Sequence, residues 1–164
     1  MTNRQNRIMD WYQQSDHHLL VTGPRGSGKT TLVDWFDQSV GPFAGYRSYK
    51  SGDITYLSDR LEKTAYPIGR IGRQRMEPVL QGFERATEFL QSLARSDHDL
   101  IVLDEVGYME RRVPDFVDAI VRLAKNHRLL IVIRQTEHAL ENRLTELGRY
   151  DVLELSPDEK WLVT

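Results

Sequence analysis

Two short segments and a scatter of arginines hold the residue types that could do chemistry in this 164-residue chain. Gly23-Pro24-Arg25-Gly26-Ser27-Gly28-Lys29-Thr30 meets every fixed position of G-x-x-x-x-G-K-[ST]. Glycines at that spacing allow backbone conformations closed to other residues, so that successive N–H groups turn inward on phosphate oxygens. A helix starting near Lys29 would add the positive end of its dipole. Lys29 is then placed to reach the β and γ phosphates and the Thr30 hydroxyl to ligate Mg²⁺. With Thr31, the eight loop residues form the expected nucleotide-contacting set.

The second segment is Asp104-Glu105, directly after the apolar run 100–103. An acid at the carboxyl end of a buried strand can hold Mg²⁺, and the next acid can orient or deprotonate an attacking water. Moving a phosphoryl group also builds negative charge that a cation opposite Lys29 would offset. Arg73, Arg75, Arg111, Arg112 and Arg134 are the candidates, with Arg134 favoured for its place at a strand end. The five histidines have no ligand spacing, so no zinc site is expected.

Positioning these groups requires strands that end at the loop and at the acid pair. Residues 18–22, 100–103, 129–133 and 152–155 are short apolar runs rich in branched residues, as expected of strands buried on both faces of a parallel sheet. Helical spacing places Val79, Leu80, Phe83, Ala86, Leu90 and Leu93 on one stripe, and Phe116, Val117, Ile120, Val121 and Ala124 on another, with Pro114 in the first turn of the second helix. A third helix is expected over 137–147 through Leu140, Leu144 and Leu147, capped by Gly148. Residues 3–14 predict a helix ahead of the first strand. Segment 41–77 has no sustained period, and only short strands at 43–49 and 54–57 are expected there. Strands alternating with helices imply an α/β fold, a mostly parallel central sheet with helices on both faces, in one domain over 1–164 with residues 1–16 as a helical extension.

Composition narrows the classes. With 40% hydrophobic and 28% charged residues the chain can bury a core, which excludes a disordered polymer. A balance of 22 basic against 24 acidic residues lacks the basic footprint of a nucleic-acid binder. Without cysteine there is no disulfide, thiolate metal site or cysteine nucleophile. Neither a signal-peptide core at the start nor an apolar run of membrane-spanning length is present, so a cytoplasmic location and no membrane partner are expected.

Order as well as motif makes the chain resemble the small P-loop nucleoside-triphosphatase family of thermophiles, found also in other bacteria, archaea and animals. The phosphate loop is followed by Gly45-Tyr46, by Ile71-Gly72-Arg73, by Phe83-Glu84 in a helix, and by Asp104-Glu105-Val106-Gly107-Tyr108-Met109-Glu110, which matches D-E-I-G-x-M-E with one conservative change. The similarity spans residues 19–155. It implies a P-loop three-layer fold, slow Mg²⁺-dependent hydrolysis of ATP, GTP and other triphosphates with little base preference, and Arg73 at the family's basic position. Gln74 follows Arg73 where the family commonly has Tyr, Arg134-Gln135 stand where it tends toward Thr and His, and the segment before His17 lies outside its usual start. Two other functions use the same loop. A nucleotide or small-metabolite kinase pairs it with an arginine-rich segment such as 60–75, and a conformational switch only binds nucleotide. Glu105 separates them, because hydrolysis needs a group that activates water whereas a kinase must exclude it.

Overall fold

The computed structural model describes residues 1–107, 110–134 and 141–157. A helix comes first, α1 (Asn3–Gln14), closed at its start by a reciprocal capping box between Thr2 and Gln5. Strand β1 (His18–Gly23) leads through the glycine loop into α2 (Lys29–Val40). Four strands then follow without a helix between them: β2 (Ala44–Ser51), β3 (Ile54–Asp59), β4 (Ala65–Ile71) and β5 (Met76–Pro78). The rest alternates: α3 (Leu80–Ala94), β6 (Leu100–Val106), α4 (Pro114–Leu123), β7 (Arg128–Arg134) and β8 (Tyr150–Glu154). Short 3₁₀ segments occupy Glu110–Arg112 and Glu141–Leu147.

All eight strands join one sheet in the order β5-β4-β3-β2-β6-β7-β1-β8. From β2 through β6, β7 and β1 to β8 neighbouring strands are parallel, whereas β2, β3, β4 and β5 pair antiparallel. Side chains on the parallel strands alternate between two buried layers. Leu100, Val102, Leu130, Val132, Leu19 and Val21 pack against Ile8, Trp11, Leu32, Val33 and Phe36 of α1 and α2. Ile101, Leu103, Leu129, Ile131 and Leu20 face Phe83, Leu90, Phe116 and Ile120 of α3 and α4. Covering both faces is why these strands read as unbroken apolar runs. Helix α1 is part of this packing: the Arg128 guanidinium lies 4.4 Å from the Trp11 ring centroid and donates to the carbonyls of Ser15 and Tyr12.

The α/β fold and its central strands follow the sequence expectations, and the helix at 3–14 falls where the spacing put it. Segment 41–77 does not. It carries β2, β3 and β4 and the start of β5, and the last two were not expected. Pro67 and Gly69 interrupt β4, and the strand buries Ile68 and Gly69 against exposed ends, which leaves no two-residue alternation to read. The helix expected over 137–147 is corrected in its second half, where 141–147 wind as a 3₁₀ helix. Its first half, with Leu140, lies outside the described residues.

Candidate active site

Strand β1 ends on Gly23, where a Cβ would lie 2.6 Å from the Leu155 carbonyl oxygen and 2.7 Å from Ser27 Oγ, so only glycine fits. The turn closes as the Ser27 N–H donates to the Pro24 carbonyl at 3.1 Å. Gly28, left-handed at φ 91°, opens α2 without a side-chain cap, which leaves the first-turn N–H groups of the helix directed at the loop. Lys29 is buried, and its ammonium donates to the Gly23 and Pro24 carbonyls at 2.8 and 3.1 Å. Burial lowers its pKa, with the charge of Glu105 opposing that fall.

Opposite the loop, β6 delivers the two acids. Between Asp104 and Val106 the pairing with β7 slips by one residue, an irregularity that re-aims a side chain at a sheet edge. Asp104 is 3% exposed, and Thr30 Oγ1 donates to its Oδ1 at 3.5 Å. Burial first, and then the Glu105 charge, push its carboxyl from an ordinary 3.8 up to about 6. Its Oδ2 is buried with no hydrogen-bond partner. A carboxylate with one oxygen beside a threonine hydroxyl and the other unsatisfied fits a divalent cation. Among the described residues no three acids or histidines converge as a metal cage, so the remaining ligands of such a cation would be phosphate oxygens and water, the usual Mg²⁺ arrangement.

Glu105 points into a cleft of about 550 Å³ that Lys29, Thr30, Thr31, Arg25, Gly26, Gly28 and Arg134 also line. Arg134 Nε stands 3.8 Å from Glu105 Oε1. Two contacts fix the acid pair from behind. The Tyr46 hydroxyl donates to the Glu105 carbonyl at 3.3 Å, kept protonated by burial. The Gly107 N–H donates to Glu110 Oε2 at 2.9 Å. Gly45 lets β2 approach closely enough for this, since a Cβ there would meet the Val102 carbonyl oxygen at 1.8 Å. Gly-Tyr on β2 and the last Glu of D-E-V-G-Y-M-E thus serve one turn.

The family model described as NTPase matches residues 46–163. The chain belongs to this nucleoside-triphosphatase family. The nucleoside-triphosphatase THEP1 of Archaeoglobus fulgidus is 33% identical over 138 residues, covering 77% of this chain and 82% of that protein. That of Pyrococcus abyssi is 33% identical over 150 residues, 80% of each. In fold the chain is similar to THEP1 from Aquifex aeolicus, with a TM-score of 0.68 at 20% identity over 86% of this chain and 91% of that one.

In this nucleoside-triphosphatase the loop residues, Asp104, Glu105 and Arg134 meet at one edge of the sheet. Arg73 is exposed in the turn between β4 and β5 and does not line the cleft, although Met76 of the same hairpin lines a smaller neighbouring cavity with Glu105 and Arg134. Arg75 shares that turn, and Arg112 is exposed in its 3₁₀ segment. Tyr108, Met109 and Gln135 lie outside the described residues. Of four residues that do come to the site, the sequence singled out only Arg60, and that only as the start of an arginine-rich segment. Arg47 pairs in register with Asp104, and its charge with that of Arg60 partly offsets the burial of that carboxyl. Arg4 and Trp35 line the cleft itself.

Proposed function

We propose that the nucleoside-triphosphatase reaction of this chain is Mg²⁺-dependent, tolerant of the base, and driven by Glu105 acting on water. The observation that carries the reading is Glu105 and Lys29 lining one cleft, with Thr30 of the same cleft donating to the buried Asp104. The Gly23–Thr30 loop and the start of α2 bind the phosphates through backbone N–H groups, and Lys29 exchanges its two loop carbonyls for phosphate oxygens. Thr30 and Asp104 would hold Mg²⁺, which supplies charge neutralisation on the phosphate oxygens. Glu105 accepts a proton from the attacking water, and Arg134 places a cation where charge builds on the transferred group. A cytoplasmic location belongs to the same reading; among the described residues no helix is long and apolar enough to cross a membrane.

One observation favours a second reading, phosphoryl transfer to an acceptor. A smaller cavity of about 270 Å³ shares Glu105 and Arg134 with the cleft and is lined by Ser48 and Thr55, whose buried hydroxyls have no partner. Phosphate release from ATP, GTP, CTP and UTP, with Mg²⁺ or with a chelator, and with or without glycerol or a nucleoside monophosphate, tests both. Comparable release from all four without acceptor, abolished by chelator, supports hydrolysis as described. Diphosphate that forms only together with phosphorylated acceptor, without free phosphate, overturns it.

A further inference from the structure

Helix α1 precedes the segment that the family model matches, yet it forms a wall of the nucleotide cleft. Thr2, Arg4 and Gln5 line that cleft on one side, and Leu32 and Trp35, in the first turns of α2, line it on another. Arg4 is 5% exposed, a burial that a guanidinium tolerates only when it is hydrogen-bonded. Its Nη1 donates to the Ser27 carbonyl within the phosphate loop at 2.5 Å, and its Nη2 to the Ser156 carbonyl beyond β8 at 2.7 Å. One planar fork therefore ties the loop to the chain that follows the last strand. The Gln5 carbonyl oxygen is used by the Thr2 N–H at 2.9 Å, so its amide N–H₂ is the end left to meet a ligand. Trp35 packs partly on the α1–α2 core while part of it borders the cleft.

We infer that α1 completes the nucleotide site: Arg4 is a positioning residue that holds the phosphate loop in its binding conformation, and Gln5 and Trp35 flank the nucleobase. Phosphates seated on the loop leave the rest of the nucleotide to extend between α1 and α2, the walls of the same cleft. An indole face stacks on any base, and a single amide N–H₂ finds an acceptor on every base edge. Such a subsite detects that a base is present more than which base it is, in keeping with the base tolerance proposed above, on which this inference rests for its phosphate end.

Inorganic tripolyphosphate and a non-hydrolysable ATP analogue separate the two ends of the site. Calorimetric titration of each ligand with Mg²⁺ would compare wild type, Lys29→Ala, Arg4→Ala, Arg4→Lys, Gln5→Ala and Trp35→Leu, each checked for native circular dichroism. Losing the stacking partner should weaken the ATP analogue roughly 5-fold or more while tripolyphosphate affinity stays within twofold, and Gln5→Ala should show the same contrast more weakly. Arg4→Ala should weaken both ligands and lower kcat as well as raise KM, with Arg4→Lys recovering only part of it. Trp35→Leu and Gln5→Ala that bind the analogue as wild type does, or an Arg4→Ala with unchanged tripolyphosphate affinity, would overturn the inference. Unaltered tripolyphosphate binding by Lys29→Ala would instead overturn the phosphate-site reading beneath it. If a variant unfolds, the same comparison of the two ligands on wild type decides: equal affinities leave no role for a base subsite.

Discussion

Asp104→Asn should make the ligand-free protein more stable while crippling its use of Mg²⁺. Burial and the neighbouring Glu105 hold the Asp104 carboxyl at about 6 against an ordinary 3.8. Its charged form is therefore disfavoured in the folded chain by about two pKa units, or about 3 kcal/mol at 1.36 kcal/mol per unit. The amide has the same shape and no charge. Oδ2 already lacks a partner, so the substitution exchanges one unsatisfied atom for another, and relief of the buried charge is the difference. The sign follows from proton linkage. Between pH 4 and 6 the folded wild type binds more protons than the unfolded chain, so its stability falls as pH rises through that window. The advantage of the amide is consequently absent near pH 4, grows to pH 6 and is complete at pH 7. For a chain of this length 1 kcal/mol moves Tm by about 2–4 °C, giving a rise of roughly 6–12 °C at pH 7.5. Thermal unfolding monitored by circular dichroism at pH 4, 6 and 7.5 measures it. Adding Mg²⁺ with a non-hydrolysable triphosphate should reverse the order, because ligand binding stabilises only the protein that retains the metal ligand. A variant less stable than wild type at pH 7.5, or a gain equal at pH 4 and 7.5, would refute the reasoning.

Four further outcomes are expected. Glu105→Gln should bind Mg²⁺ and nucleotide normally yet release phosphate about 10² to 10⁴ times more slowly, measured by steady-state phosphate release beside calorimetry. Lys29→Ala should lose most of the thermal stabilisation that a non-hydrolysable triphosphate gives the wild type, a shift read by differential scanning fluorimetry. Arg134→Ala, which removes a cation 3.8 Å from Glu105, should lower kcat far more than it raises KM; a change confined to KM would assign Arg134 to ground-state binding. The Mg²⁺ concentration for half activity should fall as pH rises through about 6, where Asp104 loses its proton, and level off above pH 7, because only the ionised carboxyl ligates the cation.

How much of this was visible in the sequence depends on whether the constraint on a residue was local. The phosphate loop was legible because its geometry is dictated within eight residues, where Gly23 and Gly28 must be glycine for reasons of backbone and close contact. The acid pair was legible because the strand before it is buried on both faces and ends abruptly in charge. Arg4 left no such trace. Its partners, Ser27 and Ser156, stand 23 and 152 residues away, and an arginine on an N-terminal helix looks like surface until the fold brings those carbonyls to it. Arg73 shows a different limit: a basic residue at the family's position suggested the site, and in the structure it is an exposed turn residue whose hairpin reaches the neighbouring cavity through Met76. Strand β4 was hidden by Pro67 and Gly69; Pro67 is tolerated because the three-residue β5 pairs only with Gly69–Ile71, so Pro67 has a strand partner on the β3 side alone.

Strand β2 belongs to both halves of the sheet, with Ala44–Arg47 paired to β6 and Tyr46–Ser51 to β3. Lineages of this family can therefore lengthen or shorten the hairpins beyond it without breaking the hydrogen-bonded ladder of β1, β6 and β7, since none of those strands pairs with β4 or β5. A single residue gained or lost between Ala44 and Arg47 is another matter. A one-residue slip turns every following side chain to the opposite face, which would carry Arg47 away from its place beside Asp104 and take the Tyr46 hydroxyl from the Glu105 carbonyl together. Insertions and deletions should accordingly accumulate in the turns after Ser51 and Asp59 and be absent from these four residues.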